Sequence, residues 1–295
     1  MTRSNPVVHG AGATAGTMLR RISREIGDEA GPCAAYEAEA ILRDVLGCSR
    51  EALYLRADRE LSSEETSRID GILRRRLSSE PLPYILSRCC FYDRELFVDP
   101  RVLIPRPETE ILVELVLKRE PDGRIRVLDI GTGSGAVAAS LAAHRSAWSL
   151  TASDVSREAL TVARVNCGTS VRLVRGDRAG FVRGGERFDC VVCNPPYIPT
   201  REIEHLEPGV RLFEPRAALD GGPDGLEFIR RLARELPGIM RSEGRLYFEI
   251  GHGQSEAVCG ILADTGWRQI LTEPDLTGRV RVAGAVRPES IDRYG

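Results

Sequence analysis

Between residues 127 and 138 the chain reads Val-Leu-Asp-Ile-Gly-Thr-Gly-Ser-Gly-Ala-Val-Ala, an apolar strand that passes through three alternate glycines into a helix of small residues. Strand, glycine turn and helix in that order open a βαβ unit, which commits a chain to a parallel sheet covered by helices. Gly131, Gly133 and Gly135 permit a tight turn and let a nucleotide-like ligand lie close to the backbone, facing a helix N-terminus. A second strand, Ser149–Ser153, runs to Asp154. In dinucleotide-binding folds a carboxylate there accepts hydrogen bonds from ribose hydroxyls. The same pattern also describes an ordinary strand-to-helix turn.

Two departures from the dinucleotide pattern discriminate. The spacing is Gly-x-Gly-x-Gly, and Asp129 sits inside the strand just before the first glycine. A carboxylate there would repel a pyrophosphate but suits a ligand that carries positive charge. The combination favours S-adenosylmethionine, held by Asp129, by Gly131, Thr132, Gly133, Ser134 and Gly135, and by Asp154.

Downstream, the apolar run Phe188–Cys193 ends in Asn194-Pro195-Pro196-Tyr197. Each proline fixes its own φ, lacks an N–H and holds the preceding residue extended. The Asn194 side chain and the Asn194 and Pro195 carbonyls therefore form a rigid set of hydrogen-bond acceptors, able to grip another amide-like nitrogen. Tyr197 adds a flat face with a polar tip, suited to stacking on a planar group. Asn-Pro-Pro is also a common way to end a strand.

From about residue 123 strands and helices alternate: strands over 125–130, 150–153, 171–175, 188–193, 245–250, 268–272 and 279–286, and helices from Ala136, from Arg157, over 226–240 and over 254–264. This predicts an α/β fold with a doubly wound, mostly parallel sheet. No helix separates the last two strands, so they pair as an antiparallel hairpin at one edge. Ligands then belong at the carboxyl ends of the strands, where Gly131, Asp154, Asp177 and Asn194 fall.

Before that domain, apolar residues recur at helix-face spacing in Ala38-Ile41-Leu42-Val45-Leu46 and Ile69-Ile72-Leu73-Leu77, and Ser62 with Glu65 forms a capping box. The expected organisation is a disordered segment over 1–17, a helical substrate-recognition domain over 18–87, a hairpin and linker over 88–122 with the hairpin across Phe91 to Val102, and the catalytic domain over 123–295. Arginines at 3, 20, 21 and 24, with no acid before Glu25, also suit an organellar leader, but they cluster where the first helix should begin.

With 42% hydrophobic residues and a net charge of −2, the chain lacks the basic excess of a non-specific nucleic-acid binder. No apolar run is long enough to span a bilayer. The eight cysteines include one Cys-x-x-Cys, Cys190 and Cys193, inside the apolar strand, where packing is favoured over metal binding. No metal is assigned. The cysteines read as reduced thiols in a cytoplasmic protein, expected to be a monomer.

In this order the glycine loop, the ribose acid and Asn-Pro-Pro-Tyr resemble the class I S-adenosylmethionine-dependent methyltransferases. More narrowly the chain resembles the HemK/PrmC family of protein-glutamine N5-methyltransferases. The narrow resemblance rests on Pro81–Leu86, Leu103–Glu110, Phe213–Leu226 and Gly278–Val282, with Ile104-Pro105-Arg106-Pro107-Glu108-Thr109-Glu110 the most specific. It implies a seven-stranded Rossmann-like sheet and methyl transfer to the side-chain amide of a glutamine, in the Gly-Gly-Gln loop of peptide chain release factors. It implies catalytic roles for Asn194, Pro195, Pro196 and Tyr197, with Asn194 also near the cofactor, and an adenine region at Asp177. There the family commonly has a large apolar residue after the acid; here Arg178 follows it. Arg106, Glu108 and Glu110 either order the pocket or begin a solvated helix. Two alternatives stay open: an adenine N6-methyltransferase acting on nucleic acid, whose flipped base presents the same planar amine, and glutamine methylation of a ribosomal protein.

Overall fold

A computed structural model describes residues 13–182 and 185–287. They fall into two compact units, one ending at Leu86 and the other starting at Ser87.

The first unit is helical: α1 (Ala15–Glu25), α2 (Gly27–Ala30), α3 (Ala34–Leu46), α4 (Arg50–Leu55), α5 (Ser63–Arg76) and α6 (Leu82–Leu86). Ile22, Ile41, Leu42, Ile69 and Leu73 meet in its core. The α5 capping box is present, with Ser62 Oγ accepting from the Glu65 N–H at 3.1 Å and Glu65 Oε2 accepting from the Ser62 N–H at 2.8 Å. Of the segment expected to be disordered, residues 13–17 are ordered and residues 1–12 lie outside the described residues. The correction has a local cause. Thr14 caps α1 by accepting from the Thr17 N–H, and the Ala13 carbonyl accepts from Leu61, so the helix starts before the arginine cluster.

The second unit opens with a hairpin, β1 (Arg88–Phe91) and β2 (Arg94–Phe97). It lies earlier than the expected Phe91–Val102 because the chain turns at Tyr92, whose φ is 58°, and leaves the ladder after Phe97. Next comes α7 (Pro107–Arg119), with proline in its first turn and Glu108 and Glu110 at its positive end. Residues expected only as a linker thus contribute Leu112, Val113, Leu115 and Val116 to the main core.

The sheet comprises β3 (Arg126–Ile130), β4 (Ser149–Asp154), β5 (Arg172–Arg175), β6 (Phe188–Cys193), β7 (Met240–Glu249), β8 (Arg268–Pro274) and β9 (Val280–Val286), with α8 (Ala136–His144), α9 (Arg157–Cys167), α10 (Pro208–Phe213), α11 (Arg216–Leu219), α12 (Glu227–Glu235) and α13 (Ser255–Asp264) between them. The strand order is β5-β4-β3-β6-β7-β9-β8, with β9 antiparallel to both neighbours. The expected doubly wound sheet with an antiparallel edge is therefore what forms. α12 stops short of the expected residue 240 because Pro237 lacks the N–H that would continue it, and β7 begins at Met240.

The central strands are buried on both faces. Val127, Cys190 and Val192 face the α7–α8 side, while Leu128, Ile130, Val191 and Cys193 face α12 and α13. Such strands leave no lateral room for polar chemistry, so polar groups gather where they end. The chain winds outward through β4 and β5 and then returns to β6 on the other side of β3. That reversal opens a crevice at the carboxyl ends of β3 and β6.

Leu128 is fully buried in β3 between β4 and β6. Leu128→Ala is expected to lower unfolding stability by about 2–5 kcal/mol in a urea titration; a loss under 1 kcal/mol would show that this strand is not central to the core.

Candidate active site

A cavity of about 400 Å³ occupies the crevice. Asp129 and residues Gly131 to Ser134 line it from the β3–α8 turn, Asp154 from the end of β4, Arg178 from beyond β5, and Asn194, Pro195 and Pro196 from beyond β6. Ten of the thirteen residues expected at the site thus share one wall system. Gly135, Asp177 and Tyr197 do not line it.

The turn explains the first group. Gly131 and Gly133 have φ of 70° and 53°, and a Cβ on either would meet no neighbour. They are glycines for conformation, since left-handed backbone costs an L-residue about 1–2 kcal/mol. The N–H groups of Gly131 and Thr132 both donate to the Ser153 carbonyl, at 2.8 and 2.9 Å, which curls the turn over the end of β4. Gly135 serves packing. A Cβ there would stand 2.8 Å from Cys167 Sγ and 3.2 Å from Ala163 Cα, so its absence lets α9 lie against the start of α8.

Two carboxylates face this turn. Asp154 accepts from the Gly133 and Ser156 N–H groups, each at 2.9 Å; burial raises its pKa and these backbone donors oppose the rise. Asp129 is 2% exposed and accepts from the Thr132 hydroxyl at 2.6 Å. Burial, with repulsion from Asp154 added, pushes it up to about 7 despite that bond. Among the described residues neither acid has an ion-pair partner. Two unpaired buried acids side by side suit a cation and a hydroxyl-rich ligand.

Asn194 donates from Nδ2 to Thr109 Oγ1 at 3.1 Å. No donor among the described residues reaches its Oδ1 or the Pro195 carbonyl, so two acceptors stand together on the cavity wall. Their rigidity comes from a clamp that sequence reasoning missed. The Ile198 N–H donates to Leu219 and the Gly221 N–H to Ile198, and Gln254 Nε2 donates to the Tyr197 carbonyl at 2.9 Å. A Cβ on Gly221 would sit 2.7 Å from the Pro196 carbonyl, and one on Gly225 2.3 Å from that of Tyr197. The glycines in Asp220-Gly221-Gly222-Pro223-Asp224-Gly225 are the signal that could have revealed this close approach.

Tyr197 is turned away from the cavity; its hydroxyl donates to Glu249 Oε1 at 3.3 Å. Asp177 is likewise drawn aside, accepting from the Arg178 guanidinium at 2.8 Å while Arg178 also reaches Glu235 at 3.1 Å. The remaining wall comes from Val102, Leu103, Pro105, Arg106, Thr109 and Phe228, none of them assigned to a ligand by their residue types alone. Arg106 pairs at 2.6 Å with Glu214, whose side chain is 1% exposed, and so ties the start of α7 to the Phe213–Leu226 segment. Cys190 and Cys193 are buried and free. Among the described residues no helix is long and apolar enough to cross a membrane.

Residues 17–86 match a model of the PrmC N-terminal domain, and residues 107–213 match a model of the methyltransferase small domain. A release factor glutamine methyltransferase of Geobacter sulfurreducens is 41% identical over 254 residues, covering 85% of this chain and 89% of that protein. One from Neisseria gonorrhoeae is 43% identical over 250 residues, covering 83% and 91%. A methyltransferase structure from Pyrococcus furiosus superposes with a TM-score of 0.51 at 19% identity, over 77% of this chain and all of that one, which speaks to the fold.

Gly135→Ala combines a φ of 82° with the contact on Cys167. It should cost more than the roughly 1–2 kcal/mol of left-handed strain alone, and more than Gly133→Ala, when thermal unfolding of the two is compared. Equal losses would deny Gly135 its packing role.

Proposed function

The chain belongs to the release factor glutamine methyltransferase family, and we propose that it transfers a methyl group from S-adenosyl-L-methionine to the side-chain amide nitrogen of a glutamine in peptide chain release factors, at their Gly-Gly-Gln loop. The observation that carries the chemistry is the pair of unfilled acceptors, Asn194 Oδ1 and the Pro195 carbonyl, on the wall of a cavity that also holds two unpaired carboxylates.

The residues fit the cofactor. Asp154 is placed to accept from ribose hydroxyls, Asp129 to balance positive charge, and the open glycine turn to let a flat ligand lie against backbone. At the adenine end Arg178 is a polar neighbour, held beside Asp177, and Phe228 offers the apolar face that Arg178 does not. When bound, the cofactor supplies a methyl group made electrophilic by a sulfonium.

A carboxamide nitrogen is a weak nucleophile because its lone pair is shared with the carbonyl, so orientation is what the chain must provide. Asn194 and Pro195 each accept one N–H of the substrate amide and so fix its plane and the direction of its nitrogen. Positive charge that develops on that nitrogen meets oxygens already in place, at no cost in reorganisation. Pro196 and the glycine clamp keep those oxygens still. Tyr197 braces this segment through Glu249 in place of the stacking role expected from its ring. The cavity lies wholly in the second unit, and the helical unit is assigned to recognition of the release factor.

Asn194→Ala should lower turnover about a hundredfold or more while leaving cofactor affinity within a few-fold, measured as labelled methyl transfer to a release factor alongside calorimetry. Turnover near wild type would reduce Asn194 to a strand terminator.

Asp129 titrates at about 7, raised by burial. A cation binds the ionised form better, so cofactor affinity should weaken by about tenfold between pH 8 and pH 6, as the carboxylate takes up its proton. Asp129→Asn should flatten that dependence; an unchanged slope in the variant would place the titrating group elsewhere.

A further inference from the structure

We propose that Thr109 and Glu249 are positioning residues that choose which end of the Asn194 amide faces the substrate. The inference rests on the reading of Asn194 as an acceptor for the substrate amide. The two ends of an asparagine side chain are alike in shape, so hydrogen bonds alone select between them. A substrate amide arriving with two N–H donors needs the oxygen, because the nitrogen end would set donor against donor.

The selecting contacts lie behind Asn194, away from the cavity. Nδ2 donates to Thr109 Oγ1 at 3.1 Å, and Thr109 is 4% exposed. A hydroxyl that accepts from Asn194 must send its own proton elsewhere, and the acceptor beside it is the Glu249 carboxyl, which Thr109 and Tyr197 both engage. Glu249 closes β7, is 1% exposed, and leaves Oε2 without a well-formed hydrogen bond. An ionised carboxylate can only accept. It therefore polarises the whole line, with the Thr109 O–H directed to Glu249, the Asn194 N–H directed to Thr109, and Asn194 Oδ1 left for the cavity.

Protonation reverses the line. A neutral Glu249 that donates to Thr109 makes the hydroxyl turn its proton toward Asn194, which then meets it with Oδ1 and presents N–H groups to the substrate. The groups facing Glu249 are Glu108 and Thr109 on α7, Cys193 in β6, Tyr197 beyond β6, and Arg281 on β9. Burial above all, with Glu108, favours the neutral acid, and Thr109, Tyr197 and Arg281 favour the ionised one. The balance holds Glu249 at about 7. Arg281 is divided between Asp275 at 3.0 Å and Glu108 at 3.7 Å, so it does not close on Glu249 as a dedicated partner.

The test measures kcat and KM for a release factor at saturating S-adenosylmethionine between pH 5.5 and 8.5, with cofactor binding followed separately. The full-length wild type, Thr109→Ser, Thr109→Val and Glu249→Gln are compared. In wild type kcat should fall on acidification through an apparent pKa near 7 with little change in KM. Thr109→Ser, which keeps the hydroxyl, should preserve both rate and acid limb. Thr109→Val should lose at least tenfold in kcat, keep its cofactor affinity, and lose the limb; Glu249→Gln should lose the limb whatever its rate. A role confined to stability would move the thermal midpoint and leave the pH profile alone. If wild type transfers no methyl to a release factor, the functional reading itself fails. If wild type is active and Thr109→Val matches its kcat and limb, only the positioning role is overturned. Should Thr109→Val not fold, a wild-type limb that survives intact in Glu249→Gln overturns it equally.

Discussion

The pairing of β3 with β6 is the constraint on which the site depends. Ile130 stands opposite Cys193, so the residues that follow them, Gly131 and Asn194, leave the sheet side by side although 62 positions separate the strand ends in Ile130↔Cys193 numbering. Both strands are buried on both faces by aliphatic side chains and cysteine. A slip by one residue would turn Leu128 and Val191 toward the wrong helices and move the glycine turn away from the proline-fixed acceptors. Apolar packing on two faces therefore aligns polar chemistry at one edge.

That edge carries an electrostatic cost. Asp129 and Glu249 are held in surroundings that favour their neutral forms, both raised to about 7 by burial. A carboxyl whose folded pKa lies above its unfolded value favours the folded state when protonated. Its contribution is present below the ordinary carboxylate range and is lost as pH rises toward 7. Near neutral pH these acids weaken the fold, and removal of either by selection for stability alone would be favoured. Their retention is consistent with tasks in the cavity: one acid faces the ligand space, the other stands behind the Asn194 amide.

Precision at the acceptors comes from contacts that tolerate little change. The Asn194–Tyr197 backbone is pressed by Gly221 and Gly225, anchored by Gln254, and joined to α7 through Thr109. The Arg106–Glu214 pair ties α7 in turn to the same glycine-bearing segment. Asn166 adds a further tie by donating to both the Phe97 and Ser134 carbonyls, which links the hairpin to the glycine turn. An oxygen positioned within a fraction of an ångström needs such a shell, because a looser one would lose the orientation on which a weak nucleophile depends.

Local patterns were sufficient for much of this. The glycine turn, the strand into Asn194-Pro195-Pro196, the capping box at Ser62 and the alternation of strands and helices are each written in contiguous residues, because short-range backbone conformation and hydrophobic periodicity determine them. The hairpin position and the early start of α1 escaped because one depends on a left-handed tyrosine and the other on a carbonyl partner at Leu61. Residue type alone could not separate Gly135 from Gly131 and Gly133, or show that Tyr197 turns from the cavity, since those outcomes depend on where Cys167 and Glu249 arrive. The alignment of Asn194, Thr109 and Glu249 was likewise invisible, because it joins three segments far apart in the chain. What the sequence determined by itself is which groups exist and which turns they sit on; only tertiary packing decided which of them face the ligand space and which hold others in place, because burial and hydrogen-bond partnership are properties of neighbours brought together by the fold.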